Sequence, residues 1–156
     1  MKNKNMNRPK FVYVTYINTT PEKLWEALTT TDLIRQYWSG RVNQSKWKKG
    51  ATLESRSPKG ELEWRGKILE SKRPRLLSYT FDVVGRKEPA SRVVFEIERP
   101  KRTDDHRSSA IKLTVTHDQF PARSKIFRGI NQGWPTILSS LKSLLETGRA
   151  IEFSYQ

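Results

Sequence analysis

The alternation of apolar and polar residues along the chain predicts a β-sheet followed by one long helix. Residues 11–17 are rich in β-branched and aromatic side chains, as strands usually are. From about Gly50 the apolar period becomes two, and turn residues divide the pattern into strands near 51–56, 61–71, 76–83, 92–98 and 109–117. Alternate residues of these strands predict one apolar sheet face, made of Leu62, Trp64, Gly66, Ile68, Leu77, Tyr79, Phe81, Val93, Phe95, Ile97, Ile111, Leu113 and Val115.

Two short helices are predicted after the first strand. Thr20 is followed by Pro21 and Glu22, an N-cap hydroxyl, a proline and a first-turn acid. A second helix follows a cap at Thr30 or Thr31 and ends at Gly40.

The last element is a long amphipathic helix. Its apolar residues recur in steps of three and four from Trp134 to Leu145, and Gly148 stands where a left-handed C-cap belongs. The helix either begins at Pro135 or continues from an upstream segment containing Ile126 through a kink, and we favour the continuation.

These elements predict an α+β fold: a curved antiparallel sheet of about six strands that wraps around the C-terminal helix, with space between them. The predicted domain spans residues 11–149. A disordered tail is expected at residues 1–10 and a C-terminal tail at residues 150–156.

The composition of the chain excludes several kinds of site and indicates where the protein is located. A chain of 156 residues suits one domain, and the absence of cysteine excludes disulfides, thiolate nucleophiles and zinc fingers. No segment has the apolar length of a secretory signal or a membrane span, so we expect a cytoplasmic protein without a membrane span.

The chain is strongly basic, with 30 Lys and Arg against 16 Asp and Glu, a net charge of +14. Nucleic acid is nevertheless an unlikely partner, because the basic residues are spread along the chain and adjoin only in pairs. The minority alternative is a base-stacking patch that combines Trp38 and Trp47 with the basic residues Arg41, Lys46, Lys48 and Lys49.

Candidate catalytic chemistry is sparse. His106 lies in a charged loop, and His117 is interpreted as a polar residue at a strand end, since its neighbour Asp118 points to the opposite face. Glu61 and Glu63 share a strand face that is expected to meet water. No phosphate-binding loop or nucleophile elbow is present, so we expect neither a metal nor a cofactor.

Tryptophan is unusually abundant, and Trp38, Trp64 and Trp134 are expected to converge between sheet and helix. An aromatic-lined cavity there would suit a mostly apolar ligand. The candidate ligand-binding residues are Trp38, Trp64, Tyr79, Phe81, Phe95, Ile130 and Trp134.

Six segments in register point to a family, and the resemblance covers about Phe11 to Gly148. They are residues 20–29, 37–40, 47–50, 74–79, 113–118 and 133–148, the last beginning Gly-Trp-Pro. The chain resembles the START-like (SRPBCC) superfamily, specifically bacterial proteins similar to the C-terminal domain of the activator of the ninety-kilodalton heat-shock chaperone ATPase. The resemblance implies a helix-grip (Bet v-like) fold whose cavity takes hydrophobic small molecules such as lipids or polyketides.

Three functions remain open at this point. The first is a non-catalytic domain that binds a hydrophobic or aromatic small molecule. The second is an interaction module for a chaperone or another acidic protein, suggested by the charge of +14. The third is a cyclase or dehydratase, which would require a carboxylate or histidine in the cavity.

Overall fold

The computed structural model describes residues 8–100 and 110–153. Its elements in chain order are β1 (Phe11–Ile17), α1 (Pro21–Thr29), α2 (Thr31–Tyr37), β2 (Val42–Ser45), β3 (Thr52–Arg56), β4 (Leu62–Lys72), β5 (Leu76–Val83), β6 (Ser91–Glu98), β7 (Ile111–Asp118) and α3 (Lys125–Thr147). His106 and most of the charged loop around it lie outside the described residues, as do the ends of both expected tails.

The strands form one antiparallel sheet in the order β1-β7-β6-β5-β4-β3-β2. This is the α+β helix-grip architecture that the sequence predicts, with seven strands where about six were expected. The additional strand is β2, whose sequence Val-Asn-Gln-Ser lacks apolar alternation. Its place depends on backbone pairing with β3, from Val42 opposite Arg56 to Ser45 opposite Leu53.

The predicted apolar face is confirmed as the core side of the sheet, except at Leu62, which is half-buried and does not belong to the core cluster. Leu77, Val93, Leu113 and Val115 are completely buried, and the residues between them on each strand are more exposed. The strand period of two therefore places the apolar residues on the face that meets α3.

The helix ends follow the sequence signals. Lys23 N donates to Thr20 Oγ1 at 3.2 Å, which confirms the cap of α1. Thr30 precedes α2 as predicted, although without a side-chain cap bond. The helix ends at Tyr37, ahead of the predicted stop at Gly40, whose φ of 74° favours glycine in the turn that follows.

Helix α3 runs without interruption through Pro135, so the alternative in which it begins at that proline is wrong. It starts where Phe127 N donates to Ser124 Oγ at 3.0 Å and ends at Gly148 with a φ of 81°. The buried side of α3 includes Trp134, Leu138 and Leu141. No helix in the described ranges is long and apolar enough to cross a membrane.

Candidate functional site

A cavity of about 240 Å³ lies between the end of α2, the centre of the sheet and the first half of α3. Its wall includes four aromatic rings and two glycines of α3. The lining residues are Trp38, Ser39, Arg41, Trp64, Phe81, Gly129, Ile130, Gly133, Trp134, Thr136 and Ile137. We call this cavity the indole pocket.

The three predicted tryptophans meet at the indole pocket. The ring centroid of Trp38 is 6.0 Å from that of Trp64 and 5.3 Å from that of Trp134. Phe81 adds a further ring at 4.6 Å from Trp64. The rings come from a helix end, two strands and α3, so the pocket wall exists only in the folded chain.

Five of the seven candidate ligand-binding residues line the pocket, namely Trp38, Trp64, Phe81, Ile130 and Trp134. The other two, Tyr79 and Phe95, are not among the lining residues; they are buried beside the indoles. Tyr79 stacks on Trp64 at 5.6 Å, and Phe95 meets Trp134 edge-on at 5.8 Å. Burial raises the pKa of Tyr79, so its hydroxyl stays neutral. Ligand binding by all seven stays a prediction.

One ion pair stands at the pocket. Arg41 Nε lies 2.9 Å from Glu63 Oε1, and each side chain is about one-third exposed. Glu61 is exposed as expected, whereas Glu63 is half-buried by this pairing instead of facing open water. The polar edge of the pocket is therefore formed by Ser39 and Arg41, and Glu63, which does not line the pocket, balances the charge of Arg41.

His117 lies at the end of β7, as its interpretation as a strand-end residue predicts, but it is also completely buried behind the pocket wall. Trp134 Nε1 donates to His117 Nδ1 at 3.0 Å, and His117 Nε2 lies 2.7 Å from Ser91 Oγ. Since Nδ1 accepts a hydrogen bond, the proton resides on Nε2, which donates to the serine hydroxyl. Ser91 Oγ in turn donates to the Phe81 carbonyl at 3.4 Å.

His117 is held in its neutral form. Burial lowers the pKa of His117 to about 3, and the charge of neighbouring Asp118 opposes this only in part. As predicted, Asp118 points away from the histidine, and it makes a two-pronged salt bridge to Arg92 at 2.9 and 2.7 Å. The sequence contains a signal for the burial of His117, because this residue continues the alternation of Ile111, Leu113 and Val115 on the core face of β7.

The basic residues considered for base stacking separate in the fold. Trp38 and Arg41 belong to the indole pocket, whereas Trp47 and Lys46 lie in the connection from β2 to β3 and do not line it. Among the described residues, no three His, Asp or Glu side chains group as a metal site would require.

Comparison with solved structures returns the same architecture. An HSP90 activator from Plasmodium falciparum has a TM-score of 0.72 at 20% identity, covering 87% of this chain and 95% of that one. The Aha1 dimer from Colwellia psychrerythraea has a TM-score of 0.71 at 20% identity, covering 91% and 99%. A Mesorhizobium loti protein has a TM-score of 0.71 at 25% identity, covering 88% and 96%.

A comparison with curated proteins gave no match. The family model described as Activator of Hsp90 ATPase homolog 1-like protein matches residues 18–146, which include nearly all of the helices and every strand after β1. The chain therefore belongs to the family of Activator of Hsp90 ATPase homolog 1-like proteins.

Proposed function

We propose that this protein binds a small apolar or aromatic molecule in the indole pocket without transforming it. The observation that carries the proposal is the pocket of about 240 Å³ whose wall brings together Trp38, Trp64 and Trp134. Indole rings supply large apolar contact area and favourable stacking geometry for a second ring system. A cavity at this position in the fold also agrees with the expectation from the resemblance.

The volume of the pocket sets the size of the ligand. Drug-sized ligands occupy cavities of roughly 300–1,000 Å³, and an engineered cavity of about 150 Å³ takes benzene. The indole pocket lies between these limits. It suits a molecule of one or two rings better than a long acyl chain.

The chemistry of the wall supports binding over acid-base catalysis. Among the described residues that line the pocket, none is a carboxylate or a histidine, and the cation of Arg41 is already balanced by Glu63. His117 is separated from the pocket by the Trp134 ring and has no exposed surface. A polar substituent on the ligand would instead meet the hydroxyls of Ser39 and Thr136.

A pocket-filling variant tests the proposal. Titration with 2-naphthol, followed by calorimetry and tryptophan fluorescence, should show binding to the parent protein. Ile130→Trp adds a ring to a pocket residue that is only half-buried, and it should weaken 2-naphthol binding by about tenfold or more while the protein still folds.

Trp47→Phe is the matched control, because Trp47 is half-buried and lies outside the pocket. It should bind 2-naphthol as the parent does. A parent protein that binds neither 2-naphthol nor other one- and two-ring aromatic compounds would overturn the proposal.

A second candidate function, docking to a chaperone of the Hsp90 class, is favoured by one surface feature. The edge strand β1 exposes Val12, Val14 and Tyr16 by 51%, 48% and 48% on one outward row. Such a row on a strand that pairs with another strand on one side only can receive a partner chain. The family description and the Plasmodium relative indicate which partner to test first.

Val14→Glu should weaken binding to purified Hsp90 by about tenfold, because it places a charge in the centre of the apolar row. Val84→Glu is the control, since Val84 is similarly exposed at 46% but lies outside β1. With a net charge of +14, association with an acidic partner should also weaken as salt rises. No binding at low ionic strength would dismiss this candidate.

A further inference from the structure

Two glycines of α3 form part of the wall of the indole pocket. Gly129 and Gly133 are four residues apart in the helix Lys125–Thr147, so they lie on one side of it, one turn apart. Both are lining residues. At these two positions the pocket is bordered by bare helix backbone, and between them it is lined by Ile130.

Neither glycine is required by the fold. Both have ordinary helical backbone, outside the positive-φ region that favours glycine. A Cβ added at Gly129 or at Gly133 would meet no atom within 4 Å. Gly66 is the opposite case, because a Cβ there would lie 1.8 Å from the Thr80 carbonyl oxygen.

Glycine is also an unfavourable choice at these positions. In a helix interior it loses more conformational entropy on folding than alanine, so each glycine weakens the helix. Helix α3 carries two of them within one turn, just ahead of Pro135, which removes a further backbone hydrogen bond. The two glycines therefore make α3 less stable, although neither packing nor backbone conformation requires glycine at either position.

We infer that Gly129 and Gly133 keep open a slot for a flat aromatic ring system, which lies with one face on the bare backbone of α3 and the other toward the indoles. This inference rests on the proposed function and narrows its ligand class. The indole of Trp64 and the ring of Phe81 face α3 from the sheet side of the pocket. A Cβ at either of these lining glycines would stand in open space. We therefore expect an added methyl group to occupy part of the slot, and a saturated, puckered ring, which is thicker than a flat one, to fit it less well.

Gly129→Ala and Gly133→Ala test the inference separately from the fold. Each variant should raise the midpoint of thermal unfolding, by about 2–4 °C, because alanine is the better helix former. Each should also weaken 2-naphthol binding by about fivefold or more in calorimetry. Gain of stability together with loss of binding is a result that a purely structural role would not give.

Asn131→Ala is the matched control. Asn131 is exposed on the same helix and does not line the pocket, and its replacement by alanine also improves helix propensity. It should raise the unfolding midpoint and leave the affinity for 2-naphthol unchanged. The saturated analogue decahydro-2-naphthol should bind the parent protein at least about fivefold more weakly than 2-naphthol.

The outcomes separate this inference from the proposed function. If the parent binds 2-naphthol and both alanine variants bind it equally well, the glycines do not shape the slot and the inference is wrong, while the proposed function stands. Alanine variants with lowered unfolding midpoints would also overturn it, by giving the glycines a packing role. A parent that binds neither 2-naphthol nor other one- and two-ring aromatic compounds overturns both.

Discussion

Gly66→Ala is expected to lower the free energy of unfolding by about 3 kcal/mol or more, because its Cβ would make the closest contact of any added at a glycine of this chain. The new Cβ would lie 1.8 Å from the Thr80 carbonyl oxygen and 2.8 Å from its carbon. Both atoms belong to the backbone of β5, so no side chain can rotate away. The two central strands would have to separate where β4 carries Trp64, two residues from Gly66.

Urea denaturation of Gly66→Ala, Thr80→Ala and the double variant measures this effect. Thr80→Ala removes the Oγ1 acceptor of Lys67 N, a 2.9 Å hydrogen bond, and should cost only about 1 kcal/mol. If the clash involves the backbone as the distances indicate, the double variant remains at least as unstable as Gly66→Ala. Recovery of stability in the double variant would show that the threonine side chain is the obstacle.

The glycines of this chain show where sequence reasoning ends. Gly66 stands in a strand pattern between Trp64 and Ile68, and Gly129 stands in a helical one, so sequence alone treats both as weak points. Their roles differ because of what lies beyond the missing Cβ: a carbonyl of the next strand in one case and empty space in the other. That information comes only from tertiary structure.

Most of the fold was predictable because the apolar period reports it directly. Leu77, Phe95 and Leu113 were assigned to one sheet face by alternation alone, and all three are buried. Strand β2 was not predictable, since Asn43 and Gln44 give no apolar signal and the strand is held by its pairing with β3.

The sequence predicts which aromatic rings meet at the candidate site, but it does not predict the hydrogen bonds that hold them. Trp38, Trp64 and Trp134 are large, and large rings on facing apolar sides tend to meet. The bond from Trp134 to His117 spans 17 residues of sequence and depends on the rotation of α3 over β7. No local pattern specifies that rotation.

His117→Phe is expected to lower the free energy of unfolding by about 2–4 kcal/mol at pH 7.5. Phenylalanine matches the aromatic surroundings of His117, which meets Phe81 edge-on at 5.0 Å and Phe120 at 4.5 Å. It leaves Trp134 Nε1 without its acceptor inside the core, and it removes the donor to Ser91 Oγ, whose remaining partner is the Phe81 carbonyl. Each unpaired buried group costs about 1–3 kcal/mol. His117→Gln can still accept from Trp134 and should show only part of the loss.

At acid pH the parent and His117→Phe should differ less in their free energy of unfolding. Burial lowers the pKa of His117 to about 3 in the folded protein, whereas an unfolded histidine has a pKa of about 6.5. Below pH 6.5 His117 is protonated in the unfolded parent and stays neutral in the folded parent. The free energy of unfolding of the parent therefore falls by about 1.4 kcal/mol per pH unit until about pH 3. The phenylalanine variant has no such loss from this position.

Urea denaturation at pH 7.5 and pH 5.0 measures the change. The difference in free energy of unfolding between the parent and His117→Phe should be about 2 kcal/mol smaller at pH 5.0 than at pH 7.5. His106 does not affect this difference, because both proteins carry it. A gap that is equal at the two pH values would mean that folded and unfolded His117 take up a proton alike. At pH 5.0 the folded protein would then carry a protonated His117, which cannot accept from Trp134 Nε1, so the hydrogen bond of 3.0 Å would not hold the Trp134 ring at that pH.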